Sequence, residues 1–320
     1  MLITFMFLSL GFFLIVKGAD WLVNGASHLA KNFSISELAI GLAIVAFGTS
    51  APELIVNIIA SIQNKSDIVY GNIIGSNQFN LFFILGISGL ITPLSVKSST
   101  AWKEIPFSLI AVLVLFVLSS DELLRNASLS QLSRTDGIIL VGLFAGFLFY
   151  VADQLKNEPK RELKTSNSIG TRHIVFYLII GLAALFMGGE MVVRNAVEMA
   201  KKLGISEMMI SLTVVAVGTS LPELATSVTA AVKRNNDIAV GNIIGSNVFN
   251  ILLVIASSAV IRPIHYSDAY NAGLIVLIAG TLFLTLSMWT GGRRKLDRWE
   301  AFILLSGYLI FQTWFIMQHV

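Results

Sequence analysis

The sequence predicts an all-α integral membrane protein of ten transmembrane helices, arranged as two inverted five-helix repeats with broken helices at the membrane midplane. Three observations carry this reading. The 320-residue chain is 55% hydrophobic and only 13% charged, with a mean hydropathy of +0.78, more apolar surface than a soluble globule of this length can bury. Residues 11–93 lie over residues 181–263 at a constant offset of 170 without a gap, and 34 of those 83 positions are identical. The identity peaks at two polar motifs set in apolar sequence. Gly48-Thr49-Ser50-Ala51-Pro52-Glu53-Leu54 answers Gly218-Thr219-Ser220-Leu221-Pro222-Glu223-Leu224, and Gly71-Asn72-Ile73-Ile74-Gly75-Ser76-Asn77-Gln78-Phe79-Asn80 answers Gly241-Asn242-Ile243-Ile244-Gly245-Ser246-Asn247-Val248-Phe249-Asn250.

A helix that crosses the ~30 Å hydrocarbon core needs about 20 mostly apolar residues. Ten stretches qualify: 2–30, 36–63, 67–92, 102–120, 135–154, 172–202, 206–232, 237–262, 271–290 and 299–318. The first lacks a basic n-region and stays apolar past Trp21 and Leu22, so it reads as a retained helix and not as a cleaved signal. Its Lys17 and Asp20, like Glu190 and Arg194 in the sixth stretch, are spaced for local ion pairs on one helix face, snorkelling or interfacial in character, with gating as the alternative. Ser36-Glu37 and Ser206-Glu207 open the second and seventh spans, and Asp67 and Asp237 open the third and eighth, where N-cap residues are expected. Pro93 and Pro263 follow the third and eighth and fit helix termination. Residues 155–171, charged and containing Pro159, form a linker without chemistry. The chain thus divides into a first five-helix repeat at 1–154, with its most strongly repeated part at 36–93, the linker, and a second repeat at 172–320 with its counterpart at 206–263.

Five is an odd number of spans, so the second copy enters the membrane in the opposite direction from the first. Inverted repeats of this kind recur in secondary transporters, whose binding site lies near the midplane between the repeats. With the N-terminus on one side, the loops of the other side carry 14 Lys and Arg, among them Lys31, Lys97, Lys103 and Lys233, against 6 on the first side. The positive-inside rule therefore places linker 155–171 in the cytoplasm and both termini outside, in a multi-pass protein of the cell (inner) membrane. The chain has no cysteine, which excludes disulfides, thiolate ligands and cysteine nucleophiles. Its partner is the lipid bilayer; nothing points to nucleic acid or to an obligate protein partner.

Glu53 and Glu223 lie mid-span with long apolar flanks and no basic residue in the same helix. A carboxylate there costs roughly 2.5 to 3.5 kcal/mol on insertion scales. The bland explanation is a protonated, hydrogen-bonded glutamate in each helix; the sharper one is a cation held between the two. Helical spacing puts Thr49 and Ser50 on the face of Glu53, Thr219 and Ser220 on that of Glu223, Ser76 beside Asn80, and Ser246 beside Asn250. Every one of these side chains offers oxygen, which suits Ca2+, whereas Zn2+ prefers nitrogen and sulfur. His28, His173, His265 and His319 all lie outside the motifs. Pro52 and Pro222 each remove a helix hydrogen bond and direct attention to carbonyls near Gly48 and Gly218, with Ala46 and Ala216 among the neighbours; such freed carbonyls can coordinate Na+. The glycines of the second motif also let helices pack closely. That packing would bring Ser76 and Asn80 close to Glu53.

On these residues the sequence resembles the cation/calcium exchanger superfamily, specifically the prokaryotic sodium/calcium exchangers with two alpha-repeats. Gly-Thr-Ser-x-Pro-Glu-Leu and Gly-Ser-Asn-x-Phe-Asn occur in both halves at equal spacing, and the resemblance covers essentially the whole chain. It implies that the main-chain oxygens of Ala46 and Ala216 and the side chains of Thr49, Ser50, Glu53, Ser76, Asn80, Thr219, Ser220, Glu223, Ser246 and Asn250 surround one Ca2+ site and up to three Na+ sites. It further implies that Glu53 and Glu223 are the ligands for which the two ions compete, and that the first and sixth helices slide against the bundle to switch access. One position departs from the pattern: Asn250 stands where well-known exchangers of this type have aspartate. An amide keeps oxygen coordination but adds no charge and does not titrate.

The expected function is antiport of Na+ against Ca2+ by alternating access at one midplane site, with no cofactor and no enzymatic step. The alternative is a proton/calcium antiporter, although that branch typically reads Gly-Asn-Ala-x-Glu at the first motif. A cation channel fits less well, because channels usually arrange carbonyls or charges in rings around an axis. An enzyme fits least, since no nucleophile-base set or nucleotide-binding loop is present among the motifs.

Overall fold

The computed structural model describes residues 2–33, 35–120, 130–157, 170–202, 216–290 and 294–319. The first half contains α1 (Leu2–Phe33), α2 (Glu37–Thr49), α3 (Ala51–Ile62), α4 (Ser66–Ile91), β1 (Leu94–Ser95), α5 (Thr100–Ser119), β2 (Gln131–Leu132) and α6 (Arg134–Asn157). The second contains α7 (Thr171–Lys202), α8 (Ala216–Thr219), α9 (Leu221–Val232), α10 (Asn236–Ile261), β3 (Ile264–His265), α11 (Asn271–Ser287), β4 (Lys295–Leu296) and α12 (Arg298–His319). Among the described residues seven helices are long and apolar enough to cross a membrane, eight when the bent pair α2 and α3 counts as one span. The other two expected spans are α12, which is not among those eight, and the seventh, of which residues 203–215 with Ser206 and Glu207 lie outside the described residues. Linker positions 158–169 lie outside them as well.

The centre of the bundle is made by α4 and α10. Their apolar windows are 78% and 94% buried, against 33% in α1, α6, α7 and α11. The outer helices turn large apolar side chains outward, Phe149 of α6 and Ile310 of α12 among them, as lipid-facing surfaces do. Two short ladders stitch the halves together crosswise. β1, which follows α4, pairs antiparallel with β4, which leads into α12; β3, which follows α10, pairs with β2, which leads into α6.

The helices α1 and α7 pack along each other through glycines spaced seven apart. A Cβ placed on Gly18 would stand 2.8 Å from the Gly181 carbonyl, and one on Gly188 would stand 2.6 Å from that of Gly11. As the chain advances from Gly11 to Gly18 its partner recedes from Gly188 to Gly181, so the two helices run antiparallel. Only glycine permits this backbone approach.

Several end signals act otherwise than expected. Ser36 sits at the N-cap of α2 with extended backbone, but its hydroxyl makes no cap hydrogen bond and accepts instead from Lys97 Nζ at 3.1 Å. Asp67 lies inside the first turn of α4 and accepts from the Tyr270 hydroxyl at 3.0 Å. Asp237 lies inside the first turn of α10 and pairs with Lys97 at 3.5 Å, while the cap itself is Asn235, which accepts from Ile238 N. Tertiary partners have outcompeted local capping at all three. Asp20 likewise pairs across elements with Lys233, because Asn24 and the Asp20 carbonyl on the same face also accept from that ammonium. Pro93 and Pro263 do stand just beyond the last turns of α4 and α10.

Replacing Gly181 by valine is expected to destabilise the α1–α7 pair by about 1–3 kcal/mol through overpacking, read as a lowered unfolding midpoint in detergent. Gly142→Val, at a site where an added Cβ meets nothing within 4 Å, should leave the midpoint unchanged.

Candidate cation site

Both proline motifs break their helices in the same way. Ser50 separates α2 from α3 with φ −85° and ψ 6°, and the two helices meet at a 45° bend; Ser220 separates α8 from α9 with φ −89° and ψ 7°. Pro52 and Pro222 occupy the opening turns of α3 and α9, where a missing N–H leaves no bond unmade. Glu53 and Glu223 therefore stand in the first turn of a new helix, near its positive end. Three π-helical stretches, Gly41–Val45, Phe79–Ile84 and Asn250–Val254, widen the helices around this point, a distortion that frequently marks functional sites.

The two breaks face each other and exchange hydrogen bonds. Ser50 Oγ donates to Glu223 Oε1 at 3.0 Å, and Ser220 Oγ donates to Glu53 Oε1 at 3.1 Å. Ser246 Oγ reaches the same Glu223 oxygen at 3.3 Å. Asn250 donates through Nδ2 to Asn77 Oδ1 at 3.3 Å, which turns its own oxygen the other way. Thr49 and Thr219 are held by Asn242 and Asn72 at 3.1 and 3.3 Å. The Ala46 carbonyl accepts from Ser50 N at 3.0 Å and lies 3.3 Å from Thr49 Oγ1, so the prolines do not leave it bare. Ala216 opens α8.

Five oxygens of this cluster have no hydrogen-bond partner although they are enclosed: Glu53 Oε2, Glu223 Oε2, Ser76 Oγ, Asn80 Oδ1 and Asn250 Oδ1. Glu53, Glu223, Ser76, Asn80, Ser246 and Asn250 all have 0% exposure. A buried unsatisfied polar group costs about 1–3 kcal/mol, and the five together, on two carboxylates, two amides and a hydroxyl, form a lining rich in acceptors, with Asn80 Nδ2 as an unpartnered donor beside them. Such a lining suits a hard cation, for which Ca2+ takes six to eight oxygens and Na+ is also served by neutral ones. Among the described residues no three His, Cys, Asp or Glu side chains come together in a way that could hold a metal ion. A cavity of about 440 Å3 lies between α3, α9 and α7 and is walled by Thr219, Gly218 and Pro222 with Glu190 and Arg194.

Sequence reasoning missed the residues behind the cluster. Asn72 and Asn242 hold the threonines, Asn57 and Ser227 hold those asparagines at 2.9 Å each, and Asn77 holds Asn250. Their signal was present: Asn72 and Asn242 are identical at the offset of 170 and interrupt apolar runs. The packing reading of the second motif's glycines is seen at Gly241 and Gly245, where an added Cβ would stand 2.9 Å from the Leu38 carbonyl and 2.7 Å from Ala46 Cβ.

The sequence model of the family described as "Sodium/calcium exchanger protein" matches residues 3–152 and 173–317. The chain is 33% identical to the sodium/calcium exchanger MaX1 of Methanosarcina acetivorans, over 97% of each chain. It is 35% identical to the inner membrane protein YrbG of Escherichia coli, over 97% of this chain and 96% of that one. Solved structures of the sodium-calcium exchanger NCX_Mj superpose with a TM-score of 0.84 at 31% identity, covering 98% of both chains. The chain is a multi-pass membrane protein, and it belongs to the sodium/calcium exchanger protein family.

Proposed function

We propose that this protein is an antiporter that exchanges Na+ for Ca2+ by alternating access at the cluster around Glu53 and Glu223. The observation that carries the reading is the set of five enclosed, unpartnered oxygens on Glu53, Glu223, Ser76, Asn80 and Asn250. Thr49, Ser50, Thr219, Ser220, Ser246 and the main-chain oxygens of Ala46 and Ala216 complete the ligand set. MaX1 and NCX_Mj are named as sodium/calcium exchangers, which supports the same pair of ions here.

Coupling follows from competition. Ca2+ and Na+ both require the two glutamates, so one kind of ion leaves before the other enters. Access is alternated by movement of the outer pair α1 and α7 relative to the buried core of α4 and α10. The topology that goes with this reading is ten spans in two inverted halves in the inner membrane, both termini outside and the 155–171 linker in the cytoplasm. The crosswise ladders, and the matching breaks at Ser50 and Ser220, are what two inverted copies would produce. In that orientation the 440 Å3 cavity opens from the outer side toward Thr219.

Proteoliposomes loaded with Na+ and diluted into Na+-free medium should accumulate radioactive Ca2+, while a matched set with only a pH gradient should not. Uptake driven by the pH gradient alone would move the protein to the proton-coupled reading, and flux of one ion with no counter-ion would make it a channel. Glu53→Gln and Glu223→Gln should each reduce exchange to background in protein that still elutes as a monodisperse peak. Normal exchange in either variant removes the assignment. Asn250→Asp adds a third carboxylate and is expected to lower the half-saturating Ca2+ concentration about tenfold, equivalent to about 1.4 kcal/mol, and to make exchange more sensitive to pH. An unchanged Ca2+ affinity, Na+ dependence and pH profile would show that the charge at this position is immaterial.

A further inference from the structure

We propose that Asn242, with its repeat counterpart Asn72, is a positioning residue that turns the neighbouring threonine and carbonyl into cation acceptors. The inference rests on the cation-site reading above and concerns residues behind the ligand set. Asn242 is fully buried in α10. Its amide nitrogen is committed: Nδ2 donates to Ser227 Oγ at 2.9 Å and points to the Glu223 carbonyl at 3.4 Å. Its oxygen is thereby aimed at Thr49, whose Oγ1 lies 3.1 Å away.

A hydroxyl has one proton and two lone pairs. Thr49 has two acceptors in reach for that proton, Asn242 Oδ1 at 3.1 Å and the Ala46 carbonyl at 3.3 Å. The second is the back-bond that a helical threonine makes when nothing else is offered. The shorter contact, to an amide whose nitrogen faces Ser227 and the Glu223 carbonyl, draws the proton to Asn242. Either bond leaves both lone pairs of Thr49 Oγ1 free; the bond to Asn242 fixes their direction and also leaves the Ala46 carbonyl, already accepting from Ser50 N, its second lone pair. Without Asn242 the threonine reverts to Ala46 and covers that lone pair with its own proton.

The other half repeats the device. Asn72 Nδ2 donates to Asn57 Oδ1 at 2.9 Å, and Asn72 Oδ1 accepts from Thr219 at 3.3 Å. The two chains cross between halves: Ser227 and Asn242 of the second orient Thr49 of the first, and Asn57 and Asn72 of the first orient Thr219 of the second. In this role neither asparagine is counted as a ligand: one lone pair of its oxygen takes the threonine proton and its nitrogen is a donor.

The test is Ca2+ self-exchange, radioactive against unlabelled Ca2+, which reads the site without a coupling ion, alongside Na+-driven Ca2+ uptake. Asn242→Leu is expected to raise the half-saturating Ca2+ and Na+ concentrations about tenfold, the usual scale for losing a residue that orients a metal ligand. Thr49→Val should raise them at least as far, and the double variant no further than the larger single, because once the threonine hydroxyl is gone Asn242 has nothing left to orient. Asn242→Asp keeps the acceptor, and Ser227 can donate to it, so half-saturation should not rise. Ser227→Ala, which leaves Asn242 in place and frees only its amide, should shift it in the same direction by a smaller factor. Unchanged half-saturation in Asn242→Leu, or single shifts that multiply in the double variant, would overturn the inference. Should Na+ fail to drive uptake in the unaltered protein, the coupling-ion reading falls, while self-exchange still reports on Asn242.

Discussion

Two carboxylates enclosed at the centre of an apolar bundle, with no basic side chain bonded to either among the described residues, are the constraint on which the rest of this structure depends. Such groups are expensive in a membrane, and much of the surrounding architecture bears on that expense. The helix breaks at Ser50 and Ser220 place Glu53 and Glu223 in opening turns, where the backbone presents unpaired N–H groups and a positive dipole end. Serines from the opposite half then supply a donor to one oxygen of each carboxylate. The other oxygen of each is left without a donor. Each carboxylate is thus half satisfied, and it is the unsatisfied half that the proposed cation would complete.

The crosswise character of the contacts follows from the same constraint. A single copy of the repeated segment carries one glutamate, two hydroxyls, a serine and an asparagine, too few oxygens and too little charge for a divalent ion. Two copies facing each other double both. Ser50 serves Glu223 and Ser220 serves Glu53, Asn242 serves Thr49 and Asn72 serves Thr219, and the short ladders join β1 to β4 and β2 to β3. Neither half can assemble its share of the site without the other, which makes the site sensitive to any relative movement of the halves. The symmetry is also incomplete. Asn250 donates to Asn77, whereas both polar atoms of Asn80 are unpartnered, so the two matching amides differ in their hydrogen bonding.

Around this centre the packing divides into two regimes. The central pair α4 and α10 is buried on nearly all sides and is rich in small and polar residues, while α1 and α7 form a peripheral pair locked to each other by glycines at backbone distance. Backbone-to-backbone packing of that kind holds two helices together as one body. The cavity beside the site is walled on one side by α7 and on the other by the two proline motifs. A displacement of the outer pair would therefore change the width of that cavity.

Much of this was legible in the sequence because it depends on composition and on periodic repetition. Apolar runs of the right length located the helices, and the gap-free offset of 170 exposed both motifs, the prolines that break the spans, and the glutamates that had to be explained. These are properties a helix carries locally, one turn at a time. What the sequence did not determine was which polar group bonds to which. Ser36, Asp67 and Asp237 stood where caps belong, yet Lys97 and Tyr270, distant in the chain, claimed them; Asp20 paired with Lys233 and not along its own helix face. Asn72 and Asn242 read as polar interruptions in a packing motif and became the residues that orient the threonines. A hydrogen bond is decided by direction within a few tenths of an ångström, and that direction is set by how helices from the two halves cross, a property of their packing that no single segment encodes.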